Sequence, residues 1–391
     1  MISNLINSLQ IVVLLYLGVN AIYILILSIA GLFKIKVSSA TNNFHRNIAV
    51  LIPGYKEDNV IIETAKSALK QNYPSDKFDI IIIADSFLQE TISKLQELPV
   101  KLIEVSFEKS TKSKALNLAL ELLPEKYEIA IVLDADNIME PFFLDKINNA
   151  FSQGSQIIQG HRVAKNLDSS MAILDAISEE INNHLFRKGH CVLGLSSALI
   201  GSAMAFDYQF FKFLMKKIKA VGGFDKEIEL YLTCNHNKID FLDDAIVYDE
   251  KVSESESFSK QRMRWLSAQF FYFSKSFYPA LKSLIFSGNI DYFLKSYQQI
   301  QPPRILLLGF SWLILLVSII FNNENFIYYW FTLALVVSFS MLISIPKHFW
   351  NIKLLYAILN LPRGFILMFL SLFQLRGANK AFIHTKHGSK Q

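Results

Sequence analysis

Cysteine is scarce in this chain. The two present, Cys191 and Cys234, have no spacing that suits a metal, and they read as reduced thiols rather than as a disulfide framework. No C-x-x-C, H-E-x-x-H or Walker loop occurs, which sets aside the redox, zinc-protease and P-loop chemistries that those motifs carry. Charge is also scarce, with 19% charged residues against 52% hydrophobic. An ordinary soluble domain has more charge and less apolar material, so the balance suggests a membrane protein with a substantial soluble part. The net charge of +5 is too small to argue for nucleic acid. It fits a face turned to anionic lipid or a phosphate-bearing substrate.

The charge is absent in particular places. Residues 1–33 contain no Asp, Glu, Lys or Arg, and IVVLLYLGVNAIYILILSIAGLF (11–33) is long enough to span a bilayer. A cleaved signal peptide is disfavoured, because there is no basic leading region and the apolar run is too long. Lys34, Lys36 and Arg46 follow, which places the next segment in the cytoplasm by the positive-inside rule. From Ile305 to Pro346 the one formal charge is Glu324. Two spans are expected there, 305–321 and 326–345, joined by a short non-cytoplasmic turn. Residues 354–375 are apolar but interrupted by NLPRG, a poor core for a simple span. Two short interfacial or re-entrant helices are expected, with the basic tail cytoplasmic; a fourth span is the alternative.

The middle of the chain alternates strand and helix signals, the pattern of an α/β domain. NIAVLIPGY (47–55), FDIIIIADS (78–86), VKLIEVS (100–106) and YEIAIVLDADN (127–137) read as buried strands, with helical spacing at 59–71 and 112–123. Successive strands end in polar clusters: Tyr55-Lys56-Glu57, Asp85-Ser86, then Asp134-Ala135-Asp136-Asn137. Ligands of open parallel sheets bind beyond the carboxyl ends of strands, so these clusters are expected to share one site. Asp134 and Asp136 bring two hard carboxylates together, a pairing that suits Mg²⁺ or Mn²⁺ completing its shell with substrate phosphate. The bland alternative is a strand-end turn with solvated acids.

Taken in order, these residues resemble the membrane-embedded family 2 glycosyltransferases, the branch of cellulose, hyaluronan and chitin-oligosaccharide synthases and ceramide glucosyltransferases. The matching stretches are IPGYKED (52–58), IIIADS (81–86), KSKALN (112–117), VLDADN (132–137), GSAMAF (201–206) and QRMRW (261–265). The resemblance implies a GT-A fold, Rossmann-like with a mostly parallel sheet. It also implies an inverting transfer from a nucleotide-sugar, a UDP-sugar above all, using Mg or Mn. Pro53, Tyr55, Glu57, Asp85 and Lys112 would line the nucleotide pocket. Asp134 would contact nucleotide and metal, and Asp136 the metal. Gln261 and Arg264 would close the site on the diphosphate. Trp265 and Ser202 would face the acceptor. The family's Glu-Asp base motif is altered here: in GGFDKEIELYL (222–232), alignment on Glu229-Leu230 makes Glu227 the expected base, with Asp225 the runner-up. AFIHTKHG (381–388) resembles a gating loop, in which Thr385, Lys386 and His387 would reach the nucleotide.

The implied partners are a nucleotide-sugar donor, a glycan or lipid acceptor and membrane lipid, with no nucleic acid, and with self-association or a synthase complex left open. The implied place is the inner (plasma) membrane, with the catalytic domain in the cytoplasm. The expected divisions are 1–33, 47–260, 261–303, 304–345 and 346–391. Processive synthesis and single transfer both remain open. From a different class, a non-catalytic nucleotide-sugar-binding subunit is the rival, motivated by Lys226 standing where the family has an acid.

Overall fold

The computed structural model describes residues 2–35, 44–251, 255–322 and 324–373. Thr385, Lys386 and His387 lie outside the described residues.

The alternation read from the sequence folds as an eight-stranded mixed sheet. Its strands are β1 (Ile48–Tyr55), β2 (Phe78–Asp85), β3 (Lys101–Val105), β4 (Ile129–Val132), β5 (Ile138–Met139), β6 (Ile157–Ala164), β7 (Met204–Asp207) and β8 (Asp240–Asp249). The spatial order is β3-β2-β1-β4-β7-β6-β8-β5. The first four strands are parallel, with Tyr55 paired to Asp85 at the end of the β1–β2 ladder. β7 runs antiparallel to β4 and β6. The chain leaves β1 toward β2 on one side and returns to β4 on the other, which opens a crevice at the carboxyl ends of β1 and β4.

Helices α2 (Ile61–Ala68), α3 (Gln89–Gln96), α4 (Lys112–Leu122) and α5 (Phe143–Ser152) cover the sheet. β1, β2 and β4 bury side chains on both faces, so their sequences read as continuous apolar runs. One face packs Leu51, Ile83 and Val132 with Leu116 of α4, and the other packs Val50, Ile82 and Ile131 with Ile61 of α2.

The remaining helices include α6 (Ser170–Asn182), α7 (His190–Val192), α8 (Tyr208–Met215), α9 (Phe224–Cys234), α10 (Ser255–Ser287) and α11 (Ile290–Gln298). Of these, α8 packs its Tyr208, Phe211 and Leu214 against the sheet with α4. The apolar helices are α1 (Ile2–Ala30), α12 (Arg304–Ile320), α13 (Glu324–Ile343) and α14 (Ile352–Phe373). Between α6 and α7 the chain winds as a π-helix, Asn183–Gly189. Among the described residues three helices are long and apolar enough to cross a membrane: Asn7–Ala30 within α1, Phe326–Ile343 within α13, and α14; α12 is apolar and shorter.

Two expectations change here. The break expected at 360–364 does not occur, because α14 runs unbroken through Pro362. Proline forfeits one backbone bond, and close packing offsets it. At Gly364 a side chain would meet Ile305 Cδ1 at 2.8 Å and Leu174 Cδ2 at 3.1 Å, so α14 presses here on α12 and α6. The Phe365 ring in turn occupies the space left by Gly309 of α12. The boundary expected at 260/261 also disappears, because both residues belong to the single helix α10.

Candidate active site

The three strand ends meet as the sequence pattern expects. Pro53, Tyr55 and Glu57 beyond β1, Asp85 at the end of β2, and Asp134 and Asp136 beyond β4 line one cavity of about 1510 Å³. The turns are tight. Lys56 and Ser86, each directly after its strand, take positive φ (55° and 59°), a region that non-glycine residues enter rarely and mostly at functional turns. Gly54 has no room for a side chain, since the Phe87 ring lies 2.7 Å from where a Cβ would be.

Asn137 orders the acidic turn. Its Oδ1 accepts from Asp134 N at 3.2 Å, and its Nδ2 donates to Asp136 Oδ1 at 3.2 Å and Asp249 Oδ1 at 3.0 Å. The Ala135 carbonyl is fixed by Thr64 Oγ1 at 2.7 Å. Asp136 also accepts from Glu250 N at 3.3 Å. Two buried carboxylates, Asp136 and Asp249, therefore share one amide donor. This oxygen-only set fits a hard divalent cation. Among the described residues no group of three or more His, Cys, Asp or Glu forms a closed cage. The fit is thus to an ion that takes part of its shell from phosphate and water.

Lys112, at the start of α4, pairs with Asp134 and donates to the Gly201 carbonyl at 2.7 Å. Its ammonium stands 5.2 Å from the centre of the Phe224 ring. Thr111 caps α4 by accepting from Lys114 N at 3.2 Å, which sets the direction of Lys112.

Behind Asp134 lies an ion network that the sequence reading did not single out. Arg162 of β6 forks onto Glu179 of α6 at 3.1 and 3.2 Å and stands 3.8 Å from Asp134 and 3.6 Å from Asp249. Lys251 pairs with Glu179 and, at 2.8 Å, with Asp249. Burial alone would push the Glu179 carboxyl up, but Arg162, Lys251 and Arg187 hold it far below the usual carboxylate range. A local signal existed: Asp175, Glu179 and Glu180 interrupt a helix otherwise rich in apolar residues, SMAILDAISEEIN.

On the far wall, α9 begins at Gly223, whose φ of 66° is left-handed. That start sets the phase of the helix. Residues two apart on a helix point about 200° apart, so Asp225 and Glu227 cannot share a face. Asp225 lines the cavity and Glu227 is not among the lining residues; the buried Oε2 of Glu227 makes no hydrogen bond. Of the two candidate bases, the structure brings Asp225 to the cavity and not Glu227. Burial raises the Asp225 carboxyl pKa; the Lys226 charge opposes the rise and the Glu229 charge adds to it, and burial wins. Glu229, one turn on, is fully buried: it accepts from Leu199 N at 2.7 Å and stands 3.8 Å from both Lys226 and Lys295. Lys226, where the family has an acid, also lines the cavity, and its charge pulls against the rise at Asp225.

Ser202 departs from expectation as well. It is fully buried with an unpartnered hydroxyl, and the chain reaches the cavity through Leu199, Ile200 and Gly201 instead.

The first turns of α10 close the site. Gln261, Arg262, Arg264 and Trp265 all line the cavity. Arg262 pairs with Asp175 and lies over the Trp265 ring at 4.4 Å. Burial lowers the Arg264 pKa, partly offset by the charges of Asp134 and Asp225, so Arg264 is a cation facing both the acidic turn and Asp225.

The sequence model described as "Glycosyltransferase like family 2" matches residues 45–268, more than half of the chain. The chain belongs to this family, and its mixed sheet with a crevice at the β1–β4 switch is the GT-A arrangement. No protein of curated function matches it. Solved structures similar to it include a mannosyltransferase, PcManGT from Pyrobaculum calidifontis, in complex with GDP-Man and Mn²⁺. That likeness is 14% identical, covers 85% of this chain and 98% of that one, and has a TM-score of 0.48. S. aureus TarS is 18% identical over 57% of this chain and 39% of that one, with a TM-score of 0.38. Glucosyl-3-phosphoglycerate synthase from Mycobacterium tuberculosis, with Mn²⁺, UDP and phosphoglyceric acid, is 14% identical over 55% and 73%, also with a TM-score of 0.38.

Proposed function

We propose that this glycosyltransferase moves a sugar, with inversion, from a UDP-sugar to a glycan or lipid-linked acceptor at the inner membrane, with its catalytic domain on the cytoplasmic side. The observation that carries the reading is the meeting, in one cavity, of three strand-end clusters with a half-buried carboxylate, Asp225, and a guanidinium, Arg264. The apolar helices and the basic flanks at Lys34, Lys347 and Lys353 support the membrane placement.

Each residue has work suited to its chemistry. Tyr55, Glu57 and Asp85 hold the nucleoside. Asp134 and Asp136 would hold Mg²⁺ or Mn²⁺, which when bound supplies positive charge beside the diphosphate. Arg264 faces the leaving group with a fork that matches phosphate oxygens. Asp225, its pKa raised by burial, accepts the proton of the acceptor hydroxyl as that oxygen bonds to the anomeric carbon and the bond to the diphosphate breaks. Gln261 closes on the diphosphate beside Arg264, and Trp265 shapes the acceptor side. Thr385 remains a proposed nucleotide contact on sequence resemblance alone.

The test is UDP release by the purified protein across a panel of UDP-sugars with Mn²⁺ or Mg²⁺ and membrane lipid extract, beside Asp136→Asn. Release with one donor that disappears in the variant is expected. Nucleotide binding without release from any donor would overturn the transferase reading in favour of a non-catalytic binding subunit.

A further inference from the structure

The cavity does not end at Asp225. It continues past α10 into a cleft between α12, α13 and α14, where Trp312, Leu316, Leu342, Ile358 and Phe365 form its walls. A passage for a growing glycan needs polar groups and rings to replace water around hydroxyls; these walls are mainly hydrocarbon, suited to an aliphatic chain.

The stretch of cavity wall where the π-helix, α10 and the start of α12 come together, called the neck below, has a different chemistry. Arg187 of the π-helix, Arg262 of α10 and Arg304 of α12 all line it. Arg187 is 2% exposed, and its Nε is buried without a hydrogen bond. Arg304 donates to the Ser178 carbonyl at 2.9 Å, forms no carboxylate ion pair among the described residues, and leaves Nη1 buried and unbonded. Arg262 already pairs with Asp175, and Glu179 is engaged by Arg162 and Lys251, with Arg187 farther off at 3.9 Å. The neck therefore carries more guanidinium charge than the carboxylates beside it answer. Buried cations are ordinarily paired, and an unanswered guanidinium fork in a cavity wall fits a phosphate oxygen pair.

Resting on the transferase reading above, we infer that the acceptor is a phosphate-bearing lipid. Its phosphate sits in the neck at Arg187, Arg262 and Arg304, its hydrocarbon chain lies between α12, α13 and α14, and the hydroxyl it carries meets Asp225. The new bond joins that hydroxyl oxygen to the anomeric carbon, the bond to the diphosphate breaks, and the proton goes to Asp225. The neck phosphate holds the acceptor and takes no part in the bond exchange. The arrangement favours single transfer to a membrane-held acceptor over extrusion of a polymer.

The experiment measures binding to the full chain in detergent by native mass spectrometry, independently of catalysis. The probes are geranylgeranyl phosphate, geranylgeraniol and inorganic phosphate. The lipid phosphate is expected to bind at least ~10-fold more tightly than the alcohol, consistent with a desolvated charge-assisted bond. Arg304→Gln should erase that preference while leaving UDP binding unchanged. Leu342→Trp, which fills the cleft, should weaken phosphate and alcohol alike. Equal affinity for phosphate and alcohol, an Arg304→Gln protein that still discriminates, or inorganic phosphate binding as tightly as the lipid phosphate would each overturn the inference. UDP release to a neutral acceptor with no lipid-phosphate binding would sink the inference and leave the transferase standing. Lipid-phosphate binding without UDP release from any donor would support the neck and cleft site while sinking the transferase.

Discussion

The two ends of the cavity treat buried charge in opposite ways. Around the acidic turn, each cation has an answering anion: Lys112 with Asp134, Arg162 with Glu179, Lys251 with Glu179 and Asp249. At the neck, Arg187 and Arg304 keep buried donor atoms without an acceptor. A closed network stiffens the frame that places the nucleotide. An open one stores the desolvation cost of its donors until an anion arrives, which favours binding over stability. The boundary between the two regimes is Asp225 and Arg264, where the chemistry is proposed to occur.

The largest expected effect lies on that boundary. Asp225→Asn should lower transfer by about 10²–10⁴-fold with nucleotide binding intact, the range for loss of a general base. Glu227→Gln should stay near wild type, because α9 turns that side chain away from the cavity. The acid limb of the wild-type rate should also lie above the ordinary carboxylate range. Asp225 acts deprotonated, its pKa is raised, and activity is lost as pH falls through that raised value. Initial rates against pH for the two variants decide the point; the opposite ranking would restore Glu227 as the base.

The next effect contrasts the two networks through stability. Glu179→Gln leaves Arg162 and Lys251 sharing only Asp249, at 3.6 and 2.8 Å. Breaking a buried ion pair from one side costs about 3–5 kcal/mol, so a clear fall in Tm in detergent is expected. Arg304→Gln removes a charge that already lacks a carboxylate, so its Tm should be unchanged or higher. If both variants lose stability equally, the distinction between a closed and an open half is wrong.

Much of the nucleotide half could be read from the sequence because its signals are local. Buried parallel strands are short apolar runs, and the acids that follow them need no knowledge of distant residues. Helix phase was less legible. Whether Asp225 or Glu227 reaches the cavity depends on where α9 starts, and that is fixed by the left-handed turn at Gly223 rather than by the spacing of acids. Ser202 was misplaced for a similar reason: its neighbours Leu199 to Gly201 face the cavity, while its own side chain turns into the core. The continuity of α14 was hidden because proline and glycine read as a break, and the packing of Gly364 against Ile305 and Leu174 is tertiary. The neck was least visible, since Arg187, Arg262 and Arg304 come from three separated segments. Only the fold makes them neighbours.

The smallest expected effect concerns the seam joining β6 to α6. His161 meets the Asp243 carbonyl through Nδ1 at 2.7 Å and Glu180 Oε2 through Nε2 at 3.2 Å; Asp243 is also held by Lys188 of the π-helix at 2.8 Å. Burial alone would lower the imidazole pKa, but Asp243 and Glu180 outweigh it and raise the value from 6.5 to about 10. A group whose folded pKa is raised contributes stability that is fully present below its unfolded value and is lost as pH rises through the folded one. Wild-type Tm should therefore decline between pH 6.5 and about 10 by more than that of His161→Gln, and the two curves should draw together toward the alkaline end. Parallel curves across that window would mean that the imidazole is neutral in the folded protein. His161 would then join β6 to α6 and β8 by hydrogen bonds alone, and the charge in the seam would rest on Lys188 and Asp243.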